Sequence, residues 1–311
     1  MQVKLNKPIL PLIPIREANL LIAGTGRNVA ATIEVEIDRL KSACRHFKSI
    51  QILVIESDSL DATVNILTQL EKKIDGFKYI SLGVLENKIP SRVQRIAYCR
   101  NQIVNAVRSD LAYALVDFIA MADLDGLNTL LSDEKIESCW DVGQAWDVVT
   151  ANQLDFYYDI YALRHQHWSP VDCLIQQQQL EVVIGRDPSV NLAVWAKQVQ
   201  LKPDNRFIEV DSAFGGFAIY KRAAFLAGSY EGVENGIEVC EHVPFHRALR
   251  NAGYRIYINC GLVNCKRPTE ASNTKSSQSS NRLLNLVYRF GNSIFGKKRF
   301  KKYISQLIDL Y

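Results

Sequence analysis

The first 125 residues alternate short apolar runs with amphipathic stretches. Apolar runs at 19–23, 50–56, 78–82 and 115–122 predict strands, and stretches with helical spacing at 28–47, 60–74 and 91–109 predict helices. Such alternation is typical of a mainly parallel sheet covered by helices. The run 115–122 is almost continuously apolar, which is expected of a strand buried on both faces.

The second half of the chain is less regular. Short strands are predicted at 144–150, 213–220 and 255–260, and a helix at 243–251. Residues 269–281 are dominated by Ser, Thr, Asn and Gln, so they predict a linker with little apolar surface to bury. The sequence therefore predicts an α/β domain with a mixed central sheet over residues 1–268, a linker over 269–281 and a tail over 282–311.

Two carboxylates, Asp123 and Asp125, follow the predicted buried strand. Ligands of open α/β sheets bind outside the carboxyl ends of the strands. Residues two apart in extended backbone point the same way, so both carboxylates can address one hard cation that also holds a diphosphate. The alternative is an ordinary Asp-x-Asp turn closed by Gly126.

Arg100 falls inside the apolar stripe of the third predicted helix. A guanidinium there needs an acidic partner such as Asp123 or a phosphate, unless it reaches solvent at the edge of the stripe. Glu56 and Asp58 follow the second predicted strand, where Asp58 is a candidate for contact with a ribose or base edge. These three side chains are predicted to lie in a nucleotide-binding site.

Thr25 and Arg27 belong to the phrase Gly24-Thr25-Gly26-Arg27, a weak form of a glycine-rich phosphate loop after the first strand. They are therefore candidates for contact with a nucleotide. A nucleotidyltransferase also has a βαβ start and metal-binding carboxylates, and it remains one alternative. The other alternative is a non-catalytic partner-binding domain. Hydrolysis of a nucleotide-sugar donor in the presence of Mn²⁺ would distinguish the two enzymes from such a domain.

Downstream, Asp211 lies a few residues before the pair Gly215-Gly216, which lets a backbone approach a sugar closely. Glu241 and His242 precede the predicted helix at 243–251. Asp211 and Glu241 are candidate catalytic or substrate-orienting residues, and His242 or His246 a candidate metal ligand. A tight turn at the glycines and helix capping by Glu241 are the structural alternatives.

From about residue 20 to 264 the chain resembles the fungal Anp1/Mnn9-type and CAP59-type α-mannosyltransferases. The matching phrases, in order, are Glu56-Ser57-Asp58 with Asp61 and Thr63, Arg95 with Arg100-Asn101, Asp123-Leu124-Asp125, Tyr157-Tyr158-Asp159-Ile160-Tyr161-Ala162-Leu163-Arg164, Val210-Asp211 through Gly215-Gly216, and Gly253-Tyr254.

The resemblance implies a GT-A glycosyltransferase with a Rossmann-like nucleotide-sugar-binding domain. It implies transfer of a hexose, with GDP-mannose as the favoured donor, to a glycan or lipid-linked saccharide, with retention of configuration and help from Mn²⁺ or Mg²⁺. GT-A enzymes often take a third metal ligand from a histidine after the last core strand. Residues 261–266 contain no histidine, so His242, His246 or water would have to substitute.

Composition restricts the class of protein and the cellular location that are expected. The chain is 48% hydrophobic and 23% charged, values typical of a globular enzyme. No apolar run approaches the ~20 residues of a membrane-spanning helix. Seven cysteines without a CxxC pair favour a reducing compartment, so a cytoplasmic location is expected.

Positive charge is concentrated in the tail, where seven Lys or Arg and no acid occur between Arg282 and Lys302. The main domain is therefore not expected to bind nucleic acid. Apolar residues at largely helical spacing accompany these charges, which predicts an amphipathic segment that binds an anionic membrane surface, placing the enzyme at the inner face of the membrane. Packing of the tail on the domain, or self-association, is the alternative.

Overall fold

The computed structural model describes residues 11–141, 143 and 145–266. The predicted linker and tail lie outside the described residues. The helices are α1 (Ile33–Ala43), α2 (Thr63–Lys73), α3 (Arg92–Ser109), α4 (Asp133–Asp141), α5 (Cys173–Ile184), α6 (Arg186–Ala193), α7 (Arg222–Phe225) and α8 (His242–Asn251). The strands are β1 (Asn19–Gly26), β2 (Ser49–Glu56), β3 (Phe77–Ser81), β4 (Phe118–Ala122), β5 (Val148–Gln153), β6 (Phe207–Val210), β7 (Phe217–Lys221), β8 (Val233–Glu234), β9 (Ile237–Glu238) and β10 (Ile256–Cys265).

Eight strands form one central sheet in the order β3-β2-β1-β4-β7-β5-β10-β6. The first four in that order are parallel to one another, whereas β7 runs antiparallel to both β4 and β5. At the far side, β10 is parallel to β5 and antiparallel to β6. The predicted α/β class with a mixed central sheet is confirmed, and this is the kind of sheet that the GT-A resemblance implies.

Strand β4 shows why the middle of the sheet forms. All five of its residues are buried, which requires the continuous apolar run that the sequence provides. The strand begins at Phe118 rather than at the predicted Leu115, because Leu115 is 82% exposed and lies before the sheet. At the end of β1, a Cβ on Gly24 would lie 2.4 Å from the Ala122 carbonyl oxygen, so glycine permits the two strands to meet closely.

Helix α1 begins at Ile33, five residues later than predicted. Asn28 has a positive φ of 53°, and the backbone N–H groups of Val29 and Ala30 donate to the side chains of Thr63 and Asp61 in the next β–α connection. These bonds replace the first helical turn. Helix α3 agrees with its prediction, since the Ser91 hydroxyl caps it by accepting the Gln94 N–H at 3.3 Å.

The strand ends define one rim of the sheet. Strands β1, β2 and β4 end at this rim, and β7 begins there because Phe217 pairs with Ala122 in antiparallel register. The parallel strands β5 and β10 also end there. Among the residues that the structure describes, no helix is both long and apolar enough to cross a membrane.

Candidate active site

A cavity of about 480 Å³ lies at the rim, outside the carboxyl ends of β1, β2 and β4. Its position is where ligands bind in open α/β sheets. It is lined by Thr25, Gly26, Arg27, Asn28, Val29, Ser57, Asp58, Arg92, Arg95, Ile96, Cys99, Arg100, Asp123, Leu124 and Asp125. Six of the predicted site residues therefore meet in one cavity, namely Thr25, Arg27, Asp58, Arg100, Asp123 and Asp125.

Asp58 is held rigidly in the wall of this cavity. Its φ is 59°, a left-handed conformation that costs energy in most residues but is tolerated by aspartate. Its Oδ1 accepts the backbone N–H groups of Leu85 at 2.7 Å and Glu86 at 2.9 Å. Burial opposes ionisation, yet these bonds and the nearby Arg95 hold the pKa of Asp58 below its usual value. Its buried Oδ2 lies 3.5 Å from Nε of Arg95, so a cation faces the second carboxylate oxygen.

Arg100 is the centre of a buried charge cluster beside the cavity. The residue is 5% exposed. One terminal nitrogen contacts both the Glu241 carboxylate and Nε2 of His242, and the other donates to Oδ1 of Asp123 at 3.2 Å. The predicted need for an acidic partner is met by two carboxylates. Phe214 also stacks against the guanidinium, with 5.1 Å between Cζ and the ring centroid.

Asp123 and Asp125 have the properties of a hard-cation site. Burial raises the pKa of Asp123 to about 7, Arg100 opposes that rise, and the neighbouring Asp125 adds to it. Asp125 is exposed to the cavity. Mg²⁺ and similar ions are commonly bound by one or two carboxylates together with waters and substrate phosphates, so this pair fits such an ion. Within the described residues, no cluster of three or more His, Cys, Asp or Glu side chains could hold a metal ion by itself.

The structure does not bring His242 to this pair as a third ligand. Arg100 lies between them, since its guanidinium contacts Asp123 on one side and Nε2 of His242 on the other. Burial, then the nearby Arg100, lowers the pKa of His242 well below its usual value, so the ring is neutral. His246 is a core residue, with ring nitrogens 3.0 Å from the Ser212 hydroxyl and 2.8 Å from the Tyr220 hydroxyl.

Three other predicted residues lie outside the cavity lining. Glu56 is buried and accepts the Ser59 N–H at 3.0 Å, so it shapes the loop that carries Asp58. Glu241 lies behind Arg100 and precedes α8 without capping it through its side chain. Asp211 has a side chain that is 53% exposed, lies 3.5 Å from Nε of Arg250 and does not line the cavity.

Several residues at the site were not predicted. Arg92 and Cys99 line the cavity from α3. Arg92 lies three residues before Arg95 and Cys99 four residues after it, and this spacing indicates that the three share one helix face. Asp159 lies close to Asp123, and its Oδ2 accepts the Gly215 N–H at 2.9 Å. Burial raises the pKa of Asp159, while the N–H groups of Gly215 and Ala162 oppose that rise.

Comparison with known proteins gives only distant similarity. No protein-family model matches the chain, and no curated protein is a significant match to it. A mannosyltransferase from Pyrobaculum calidifontis, solved with GDP-Man and Mn²⁺, is similar over 93% of this chain and 68% of that one, with 14% identity and a TM-score of 0.46. Residues 1–349 of TarS from S. aureus give 12% identity and a TM-score of 0.44, and the match spans 88% of this chain and 65% of that one, slightly under two thirds.

Glucosyl-3-phosphoglycerate synthase from Mycobacterium tuberculosis, solved with phosphoglyceric acid, is similar over 86% of this chain and 79% of that one. Its identity is 15% and its TM-score 0.40. At identities of 12 to 15% and TM-scores below 0.5, these similarities assign neither a family nor an activity to the chain.

Proposed function

We propose that this protein is a metal-dependent glycosyltransferase that uses a nucleotide-sugar donor. One observation carries the proposal. The adjacent carboxylates of Asp123 and Asp125 lie in the same rim cavity as four arginines, Arg27, Arg92, Arg95 and Arg100. Carboxylates that suit a divalent cation, placed beside guanidinium groups that suit phosphates, are the complement of a metal-bound diphosphate.

The arginines differ in how far they are free to bind a ligand. Arg95 and Arg100 are buried and already paired with Asp58, Asp123 or Glu241. Arg27 contacts Glu86 at 3.5 Å on the surface, a pair that contributes little by itself. Arg92 is exposed and has no hydrogen-bond or ion-pair partner among the residues that the structure describes. Arg27 and Arg92 are therefore the side chains available to a diphosphate.

The nucleoside end of the donor is proposed to lie against Asp58. The ion pair with Arg95 favours the charged form of this carboxylate, and a charged carboxylate is a strong acceptor for a ribose hydroxyl or a base N–H. Since the N–H groups of Leu85 and Glu86 fix its Oδ1, the carboxylate is preorganised and costs little entropy on binding. In this proposal the base lies near β2 and the diphosphate near β4.

The cation would be held by Asp123 and Asp125, with water and the donor phosphates completing its shell. When bound, it supplies positive charge that stabilises the departing nucleoside diphosphate. The protein itself contributes orientation. Arg100 fixes the Asp123 carboxylate, and Glu241 and His242 hold Arg100 in place from the other side.

The nucleotidyltransferase alternative loses its main support. Gly24 and Gly26 lie inside β1 and pair with Val54 and Glu56, so they form strand rather than a phosphate-cradling loop. Thr25 and Arg27 still line the cavity, but as residues at the end of a strand.

The proposed sugar, acceptor and stereochemistry rest on the family resemblance alone. On that basis GDP-mannose is the proposed donor, a glycan or lipid-linked saccharide the acceptor, Mn²⁺ the metal, and retention the outcome. The basic tail is proposed to hold the enzyme on an anionic membrane surface.

A thermal-shift screen of GDP-, UDP- and CMP-sugars, each with and without Mn²⁺, tests the function. A donor at 100 times its dissociation constant adds about 2.7 kcal/mol to the free energy of unfolding. For a domain of this size, that corresponds to an increase in Tm of about 5–10 °C. The increase should require Mn²⁺ and should be followed by donor hydrolysis. If no sugar nucleotide raises Tm under any condition, the proposed function is wrong.

A further inference from the structure

We propose that the buried amide side chains of Gln153, Asn264 and Asn128 are positioning residues that hold the Asp123–Asp125 turn in its cation-binding geometry. This inference rests on the proposed function, because it concerns the same cation. None of the three lines the cavity. Each is completely buried, and together they connect three loops at the rim.

The network begins at the end of β5. Gln153 donates from Nε2 to the Gly215 carbonyl oxygen at 3.1 Å and to Oδ1 of Asn264 at 3.2 Å, and its Oε1 accepts the Tyr158 N–H at 3.3 Å. Asn264, at the end of β10, donates from Nδ2 to the same Gly215 carbonyl at 2.8 Å and to Oδ1 of Asn128 at 2.9 Å. The network therefore ties the Tyr158 loop to the Gly215 turn.

Asn128 connects the network to the Asp123–Asp125 turn. Its Nδ2 donates to the backbone carbonyl oxygen of Asp123 at 3.0 Å and to Oε1 of the buried Glu36 at 2.7 Å. The N–H of Asp123 donates to the Gly216 carbonyl at 2.9 Å. Both backbone groups of Asp123 are thus fixed, one through Asn128 and one through the glycine turn.

Each amide in this network uses all of its side-chain hydrogen-bonding atoms. A fully satisfied buried network is rigid and specifies one arrangement, whereas losing one donor leaves buried oxygens unpaired. Rigidity matters here because the described residues offer the cation only two carboxylates. Groups that orient metal ligands without touching the metal commonly change its affinity by about 10–100-fold when they are removed.

Asn264→Asp is the test variant, and Asn152→Asp is its matched control. Both asparagines are completely buried, and both donate from Nδ2 to two oxygens. The partners of Asn152 are the Leu201 and Cys260 carbonyls at 3.0 Å, so its bonds do not reach the Asp123 turn. Each substitution keeps the side-chain volume and replaces two N–H donors by a carboxyl group that has at most one O–H donor. If the aspartate variants do not fold, Asn264→Ser and Asn152→Ser make the same comparison with one hydroxyl donor retained.

The measured quantity is the affinity of the full chain for Mn²⁺. Electron paramagnetic resonance reports the concentration of free Mn²⁺ in each titration, which is done with Mn²⁺ alone and with added GDP or UDP. Thermal unfolding records the stability of each variant. We expect both variants to lose similar stability, the Asn264 variant to bind Mn²⁺ at least about tenfold more weakly than wild type, and the Asn152 variant to stay within about twofold. Equal Mn²⁺ affinity in wild type and the Asn264 variant, or equal loss in both variants, overturns the positioning role. A wild type that binds no Mn²⁺ refutes the cation site of the proposed function itself.

Discussion

Substituting Arg100 by methionine should destabilise the protein strongly, because the side chain is the counter-charge for two acids. Arg100 is 5% exposed and Glu241 is 7% exposed. In Arg100→Met, the Glu241 carboxylate remains buried without a cationic partner. Removing one member of a buried ion pair typically costs about 3–5 kcal/mol. The Asp123 side chain is 34% exposed and can be partly solvated, which favours the lower end of that range.

A loss of about 3 kcal/mol corresponds to a decrease in Tm of about 6–12 °C for a domain of this size. Differential scanning calorimetry of the purified variant measures it. The double variant Arg100→Met with Glu241→Gln should recover part of the loss, because the unpaired charge is then absent. Arg108→Met is the matched control on the same helix, since Arg108 is exposed and, within the part of the chain that the structure describes, bonds to Asn105 and the Leu226 carbonyl alone. Its Tm should change by no more than about 2 °C.

The reasoning is refuted if Arg100→Met unfolds at the wild-type temperature, or if the double variant is no more stable than the single one. The first result would mean that the ion pairs of Arg100 contribute nothing to the free energy of unfolding. The second would mean that the cost comes from lost packing against Phe214 rather than from charge.

Four further predictions concern the Asp123–Asp125 pair, the exposed cavity residue Arg92, Asp211 and the basic tail. Asp123→Asn and Asp125→Asn should each abolish sugar transfer with little change in far-UV circular dichroism, and excess EDTA should do the same to wild type; full activity in any of these conditions contradicts the cation assignment. Arg92→Gln should weaken nucleoside diphosphate binding by about 10–100-fold in calorimetric titration at unchanged Tm, because a hydrogen bond to a charged group is worth about 1.5–3 kcal/mol. Asp211→Asn should alter turnover by less than about twofold, since Asp211 does not line the cavity and its side chain is 53% exposed; a larger decrease would return Asp211 to the site. Replacing the Lys and Arg of residues 297–302 by glutamine should reduce co-sedimentation of the full chain with anionic liposomes at low salt, and equal sedimentation would remove the membrane role of the tail.

The sequence predicts those parts of the fold that have strong periodic signals. The β4 run is apolar at every position and α3 has a serine cap and a regular stripe, so both were located from the pattern alone. The Arg100–Asp123 contact, predicted from helical spacing, is present at 3.2 Å. The sequence did not reveal α5 or α6: α5 has no clear apolar face, because Val182 and Val183 are 89% and 80% exposed.

The positions of the predicted site residues in the second half of the chain were harder to predict. Residues close together in the sequence can direct their side chains to different parts of the structure. Asp211 precedes the Gly215–Gly216 turn by only a few residues, yet the backbone turns its side chain toward Arg250. His242 adjoins the cluster but faces Arg100 rather than the Asp123–Asp125 pair. The amide network was invisible in the sequence, since asparagine and glutamine at strand ends carry no periodic or charge signal until distant strands are aligned.

Strand β7 is one of two strands, with β6, that run opposite to the rest of the central sheet. Because β7 starts at the rim where β5 has ended, residues 154–216 leave the sheet and return to the same edge. Within residues 154–216, all of which the structure describes, β6 is the strand that joins the central sheet, where it pairs with β10. Residues of this segment that lie far from the Asp123–Asp125 turn are therefore free to differ in length and composition without disturbing the sheet. Tyr158, Asp159 and Gly215 are not, because they connect to that turn or lie close to it.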